Sequence, residues 1–333
     1  MDRLKRLKAG CFCGLWGWLV LVCLAGWSPA RERSLHGHPG RGDAVLSAGG
    51  MASGLQRRLA PKTARHQWEG VFRAAWEAYG HDAAEADHVL REVQQVVQQF
   101  RNLEAATGPK QGRFEAAPAR AFALCRLLHR RWLRRYRLSA TDPHRAWRAG
   151  EYNCVSGTLF YCLAASYLGW SVRVRELPEH VQAAVQVRGG RWQAVEVTLA
   201  DGVPPAGKRQ RALRVLSPRQ FQAVVFYNRA IDAAERGLAE RAIGWNRRAW
   251  ALDPANENIR NNLVATVNNH ALELAQQGEL ARAEQLLQQL VRLVPDHPVV
   301  RQNLRYVAQR RRRQGRSAGP GSPTSGPGTA FSF

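Results

Sequence analysis

A thiol, an imidazole and a carboxylate follow one another along a short stretch of this chain. Cys154 comes directly after Asn153. His180 lies 26 residues on, in Leu177-Pro178-Glu179-His180, and Glu196 a further 16 residues on, between Trp192 and Thr198. A thiolate nucleophile needs an imidazole to take and return a proton, and the imidazole needs a carboxylate to fix its tautomer. Asn153 is a good N-cap residue, which places Cys154 in the first turn of an apolar helix. The partial positive charge of a helix N-terminus stabilises a thiolate there. Residue types alone are weak evidence, because free cysteine is among the most buried residue types. Cys125 and Cys162 read as buried, inert cysteines of that kind. Cys154 and Cys162 are eight residues apart in one predicted helix, so ~12 Å of rise keeps them from bonding.

The elements that must position these groups are legible nearby. The strongly apolar run 154–168 predicts a helix that stops at Gly169. Two-residue periodicity then predicts strands at 171–176, 181–187 and 191–199, the last two joined across Gly189-Gly190. A two-residue Gly-Gly turn would split the apolar residues Val181, Ala183, Val185, Val187, Val195, Val197 and Leu199 between two faces. A three-residue loop at 188–190 pairs 187 with 191 and gathers them on one face. In that register His180 and Glu196 become diagonal neighbours on the opposite face, about 7–8 Å apart at the backbone. The packing pattern therefore brings acid to imidazole without assuming catalysis.

Residues 136–202 resemble the transglutaminase-like branch of the papain-like cysteine enzymes. The resemblance is carried by Gly150-Glu151-Tyr152-Asn153-Cys154, by the helix ending Leu168-Gly169-Trp170, and by His180, Trp192, Glu196 and Thr198. It implies Cys154 as nucleophile, His180 as general base and acid, and Glu196 as the orienting carboxylate. The family usually has Asp at the position of Glu196. The aromatic often found two residues after its His is Gln182 here. The implied chemistry is acyl transfer at amide bonds through a thioester, with water giving hydrolysis and an acceptor amine giving cross-linking. Hydrolysis of a protein or peptide is favoured, since water is always present. No sequence signal marks an oxyanion donor; the backbone N–H of Cys154 is a geometric candidate.

The rest of the chain sets this stretch in context. Three-four spacing of apolar residues predicts helices from 66 to about 137, and Thr141-Asp142-Pro143 reads as a helix start. The C-terminal part aligns with itself at an offset of 41. That offset matches Gly237 with Gly278, Ala242 with Ala283, Leu252 with Leu293 and Pro254 with Pro295. Paired helices explain it: Gly breaks the first, small Ala lets the second pack closely, and Pro follows its end. Gly237-x4-Ala242-x6-Ala249-x4-Pro254 resembles the tetratricopeptide repeat, with a longer first helix at 256–276 and a final helix at 298–312 capping the stack. Such a stack implies a protein partner or a buttress for the preceding domain.

Residues 1–8 carry four basic side chains, and residues 9–27 carry no charge. This predicts an export signal over 1–30, cleaved or retained as a single membrane anchor. Either outcome gives an exported protein: periplasmic, cell-surface or secreted. Residues 31–60 read as a flexible linker, 61–215 as the transglutaminase-like domain, 216–313 as helical repeats and 314–333 as a disordered Gly/Pro/Ser tail. The fold class is α+β, with a Cys helix on an antiparallel sheet in a papain-like core. In a chain of 333 residues, 45% hydrophobic and 23% charged content excludes wholly disordered, collagenous and polytopic membrane classes. The net charge of +23 comes from 49 basic and 26 acidic residues, and only five of the basic ones are Lys. Arg is scattered through almost every segment, so no specific nucleic-acid partner is expected. There is no Walker loop and no dinucleotide fingerprint. His36, His38, His81 and His88 show no metal-ligand company in the sequence. No metal or organic cofactor is expected. One alternative is an inactive transglutaminase-like shell that binds a partner through its repeats; a second is a surface protein that binds a polyanion through Arg.

Overall fold

The computed structural model describes residues 53–107, 118–205 and 212–317. The apolar run 9–27 and most of the predicted linker lie outside them, as does the tail from 318. Among the described residues no helix is long and apolar enough to cross a membrane. The architecture is mixed α+β, with a small antiparallel sheet and ten helices.

Three long helices come first: α1 (Ser53–Ala78), α2 (Ala83–Thr107) and α3 (Pro118–Arg131). Helix α1 starts eight residues inside the stretch read as linker, because that reading relied on composition rather than periodicity. A two-residue strand β1 (Arg135–Tyr136) pairs in parallel with β2 (Glu151–Tyr152) across the short helix α4 (Pro143–Ala149). The start of α4 is as expected: Asp142 caps it by accepting from the His144 N–H, and Pro143 occupies its first turn.

Helix α5 (Cys154–Tyr167) is the centre of the molecule, with all of its residues buried. An amphipathic stripe would be useless here, and the sequence has none: the helix is apolar or small all round. It packs on the sheet through β4 and β3 and is covered elsewhere by α1, α2, α3 and α4. The sheet order is β5 (Trp192–Val195), β4 (His180–Gln186), β3 (Val172–Leu177) and β6 (Arg214–Leu216), all antiparallel. The fourth strand was not foreseen, since three residues are too few to show a period. The third predicted strand ends at Val195 rather than 199, for a reason given below.

A helical stack follows: α6 (Pro218–Glu235), α7 (Ala239–Leu252), α8 (Glu257–Gln276), α9 (Leu280–Leu293) and α10 (Pro298–Ser317). Each packs on the next. The offset of 41 is that of two helical hairpins, for α7 and α9 begin and end 41 residues apart. Gly237 and Gly278 turn the chain with φ of 71° and 87°. Ala242 and Ala283 are wholly buried at the matching close approaches. Helix α10 runs past Arg313 to Ser317, so the predicted tail begins as helix. Helix α6 packs against α1 and belongs to the same apolar core as α5. A second core lies among α7 to α10. Arg214 on β6 reaches buried Asp253 beyond α7 with both carboxylate oxygens at 2.7 and 2.9 Å. This ion pair ties the sheet edge to the stack.

A wholly buried helix must satisfy its first-turn N–H groups inside the protein. Asn153 does this for α5. Its Oδ1 accepts from the N–H groups of Val155 and Ser156 at 2.9 and 3.1 Å. Its Nδ2 donates to the Leu138 carbonyl and to Thr141 Oγ1, both at 2.9 Å. Ser156 closes the capping box by accepting from the Asn153 N–H at 3.0 Å and donating to Ala140 O at 2.7 Å. The cap thus clips the 138–141 loop to the helix. Replacing Asn153 with Ala removes the cap and orphans several buried polar groups. It should lower unfolding free energy by about 2–4 kcal/mol in urea titrations, whereas Asn153→Asp, which keeps the acceptor but loses the donor, should fall between.

Candidate active site

The β4–β5 hairpin adopts the register that the packing pattern demands. Gln186 pairs with Trp192 and Ala183 with Val195. The Val187 N–H donates to Arg191 O at 2.7 Å, so the loop is the three residues 188–190. Val181, Ala183, Val185, Val187, Val195 and Val197 are all buried.

Glu196 sits at the point where the chain leaves the sheet. Its own N–H donates to Gly202 O at 2.9 Å, and Leu199 N–H turns back to Glu196 O at 3.1 Å. Its carboxylate captures Thr198 twice, through the Thr198 N–H at 3.1 Å and the Thr198 hydroxyl. This side-chain turn competes with the ladder and ends the strand early.

The diagonal contact forms. His180 Nε2 lies 3.0 and 3.1 Å from the two oxygens of Glu196. A carboxylate so placed accepts a hydrogen bond from Nε2–H, which leaves Nδ1 as the ring nitrogen for proton exchange. Gln182, two residues along the same face, donates Nε2–H to Glu196 Oε2 at 3.1 Å. The Gln182 oxygen in turn accepts from Arg175 Nη1 at 2.7 Å. His180 is entered through a tight turn at Pro178-Glu179, where Glu179 takes a left-handed φ of 55°. That conformation costs a non-glycine residue about 1 kcal/mol and fixes where β4 begins.

The first turn of α5 abuts the same loop. A Cβ on Gly157 would stand 3.2 Å from Val197 and 3.0 Å from Tyr152, so only glycine lets the helix come this close. The Tyr152 hydroxyl donates to Thr198 O at 3.2 Å. His180 and Glu196 thus meet beside residues 196–198, and the turn of α5 that follows Cys154 packs on the same residues through Gly157. Cys154 is 1% exposed, and the side chains of His180 and Glu196 are 21% and 9% exposed. Trp192 does not join the core; it is partly exposed, with the Arg173 guanidinium 3.9 Å over its ring.

Burial pushes the Glu196 carboxyl up, but hydrogen bonds from His180 and Thr198 and the charge of His180 overcome this. It is held below the usual carboxylate range and is ionised at neutral pH. The other described cysteines behave differently. Burial pushes the Cys125 thiol up to about 12, and it pushes wholly buried Cys162 well above the ordinary thiol value. All three described cysteines are buried thiols outside any disulfide.

Two supporting residues carry no local sequence signal. His129, near the end of α3, lies with Nε2 2.9 Å from Val197 O and holds the loop from behind. Tyr152 stands in the motif before Cys154, but nothing in its spacing tells that its hydroxyl would reach Thr198. Nor does spacing reveal that His81 has ligand company after all. It meets Glu85 and distant His144, their donor atoms all within 4.8 Å.

Both charged-state preferences at the loop make it acid-sensitive. Glu196 is depressed in the fold, so its stabilisation is present above the usual carboxylate value and lost as pH falls through the lowered one. Burial depresses His129 below 6.5 despite its bond to Val197 O, so the unfolded chain takes up a proton that the fold refuses. Stability should therefore fall in two stages between pH 8 and 3 in denaturant titrations. His129→Gln should remove the stage that starts near pH 6.5, and Glu196→Gln the lower one.

No family model matches the chain, and no curated protein or solved structure does.

Proposed function

We propose that this chain is an exported cysteine acyl-transfer enzyme acting on amide bonds, with Cys154 as nucleophile, His180 as base and acid, and Glu196 as the orienting carboxylate. One observation carries the reading: a buried, ionised Glu196 is bound to His180 Nε2 in the register that packing requires. In this reading the α5–sheet pair is a papain-like, transglutaminase-like core. Helices α6–α9 are two tetratricopeptide-like hairpins, capped by α10, that offer a protein-binding surface.

In this reading the reaction runs through a thioester on Cys154. Nδ1 of His180 takes the thiol proton as Cys154 Sγ attacks the carbonyl carbon of an amide. The Cys154 N–H is the candidate donor to the oxyanion, at the positive end of α5. The tetrahedral intermediate collapses to a thioester, and His180 passes its proton to the leaving amine. Water, deprotonated by the same imidazole, then releases the acid and restores the thiol. Hydrolysis of a peptide or protein is the favoured outcome. Glu196 stabilises the imidazolium at each stage. Its extra methylene relative to Asp is accommodated by the Thr198 turn, and Gln182 supplies a further donor where the family has an aromatic.

The near-complete burial of Cys154 favours a second reading, an inactive shell that works by docking. The two separate in an acylation assay. Incubation with an activated acyl ester should add one acyl group to wild-type protein, located on Cys154 by mass spectrometry. His180→Ala should slow this by about 10²–10⁴-fold. Glu196→Gln should slow it at least tenfold without unfolding the chain. Labelling that ignores both substitutions supports the docking reading.

A further inference from the structure

Outside the residues assigned to acyl transfer, three metal-ligating side chains converge where the α1–α2 turn meets α4. His81 precedes α2, Glu85 stands in its first turn, and His144 is in α4. One donor atom from each lies within 4.8 Å of the other two. The two imidazoles stack, with centroids 4.3 Å apart and planes 20° apart. His144 Nε2 is 3.7 Å from Glu85 Oε1.

We propose that His81, Glu85 and His144 form a binding site for a divalent transition metal of the zinc class. Two imidazoles and a carboxylate, with no thiolate, suit zinc, cobalt or nickel rather than copper(I) or calcium. In a tetrahedral zinc site the donor atoms stand roughly 3.4 Å apart. Closing the set around an ion requires the two stacked rings to tilt so that both in-plane lone pairs meet at one point, and leaves a fourth position for water.

The surroundings supply what such a site needs. Asp142 lies 2.9 and 3.0 Å from His81 Nε2 through its two oxygens. A carboxylate behind a ligating histidine fixes ring orientation and raises basicity; His81 then offers Nδ1 to the ion. Trp76 packs at 5.3 and 5.5 Å from the His81 and His144 rings and walls one side. The opposing feature is Arg148, whose Nη2 donates to Glu85 Oε1 at 3.0 Å. It competes for the carboxylate and must swing away; its side chain is 60% exposed. The bound ion would fasten the α1–α2 turn to α4, the helix that leads into Asn153 and Cys154.

The test is a Co²⁺ titration of metal-stripped full-length protein, followed by visible absorption and by competition with Zn²⁺. It is run in a Cys154→Ala background, so that the result is independent of the acyl-transfer reading. One equivalent of Co²⁺ should give the intense bands of a four-coordinate site, and Zn²⁺ should abolish them. His144→Ala should remove the signal. Asp142→Asn, which preserves the α4 cap, should weaken binding by about 10–100-fold. Arg148→Ala should tighten it. Absence of stoichiometric uptake by the parent, or uptake unchanged by both His144→Ala and Asp142→Asn in folded protein, would overturn the proposal.

Discussion

Enclosing an entire helix in the interior forces its first turn to find hydrogen-bond partners without water. In α5 that demand is met by one side chain, Asn153, with both ends of its amide in use. Cys154 is the next residue, so the requirement that makes the core possible also fixes the thiol. The loop at 138–141 completes the cap through Leu138 O, Ala140 O and Thr141 Oγ1. The dipole of α5 is undissipated by solvent at this end, which is where a nucleophile or a developing oxyanion gains most from it.

The other half of the site arises from a separate constraint. The hairpin must place its apolar side chains on one face, and only the three-residue loop does so. That register sets His180 and Glu196 on a diagonal, and the carboxylate then recruits Thr198 and Gln182. These donors offset the desolvation of a buried charge. His129, Tyr152 and Gly157 lock the resulting turn against α3 and α5. Removing any one of them loosens the whole arrangement, since the turn has no strand pairing of its own beyond Val195.

Local patterns carried much of this in the sequence. The apolar run, the Asn153 and Asp142 caps, the hairpin register and the 41-residue repeat all follow from short-range rules, and each element stands where those rules put it. Other features depend on contacts between distant segments. Strand β6 is too short to show a period. The end of β5 is decided by Glu196's own carboxylate, which a hydropathy pattern does not register. His129 and the His81–His144 pair are isolated polar residues in helical surroundings until the fold brings their partners to them. The helical start at Ser53 was masked by a composition that reads as linker.

The central claim is that Cys154 is an activated thiol coupled to His180. Site-resolved alkylation against pH, read by mass spectrometry on residues 31–333 with and without His180→Ala, tests it most directly. The account predicts that Cys154 reacts far faster than Cys125 and Cys162 below about pH 7, and that His180→Ala abolishes the difference. If Cys154 proves as inert as the other two in folded protein, or keeps its reactivity without His180, the account is contradicted.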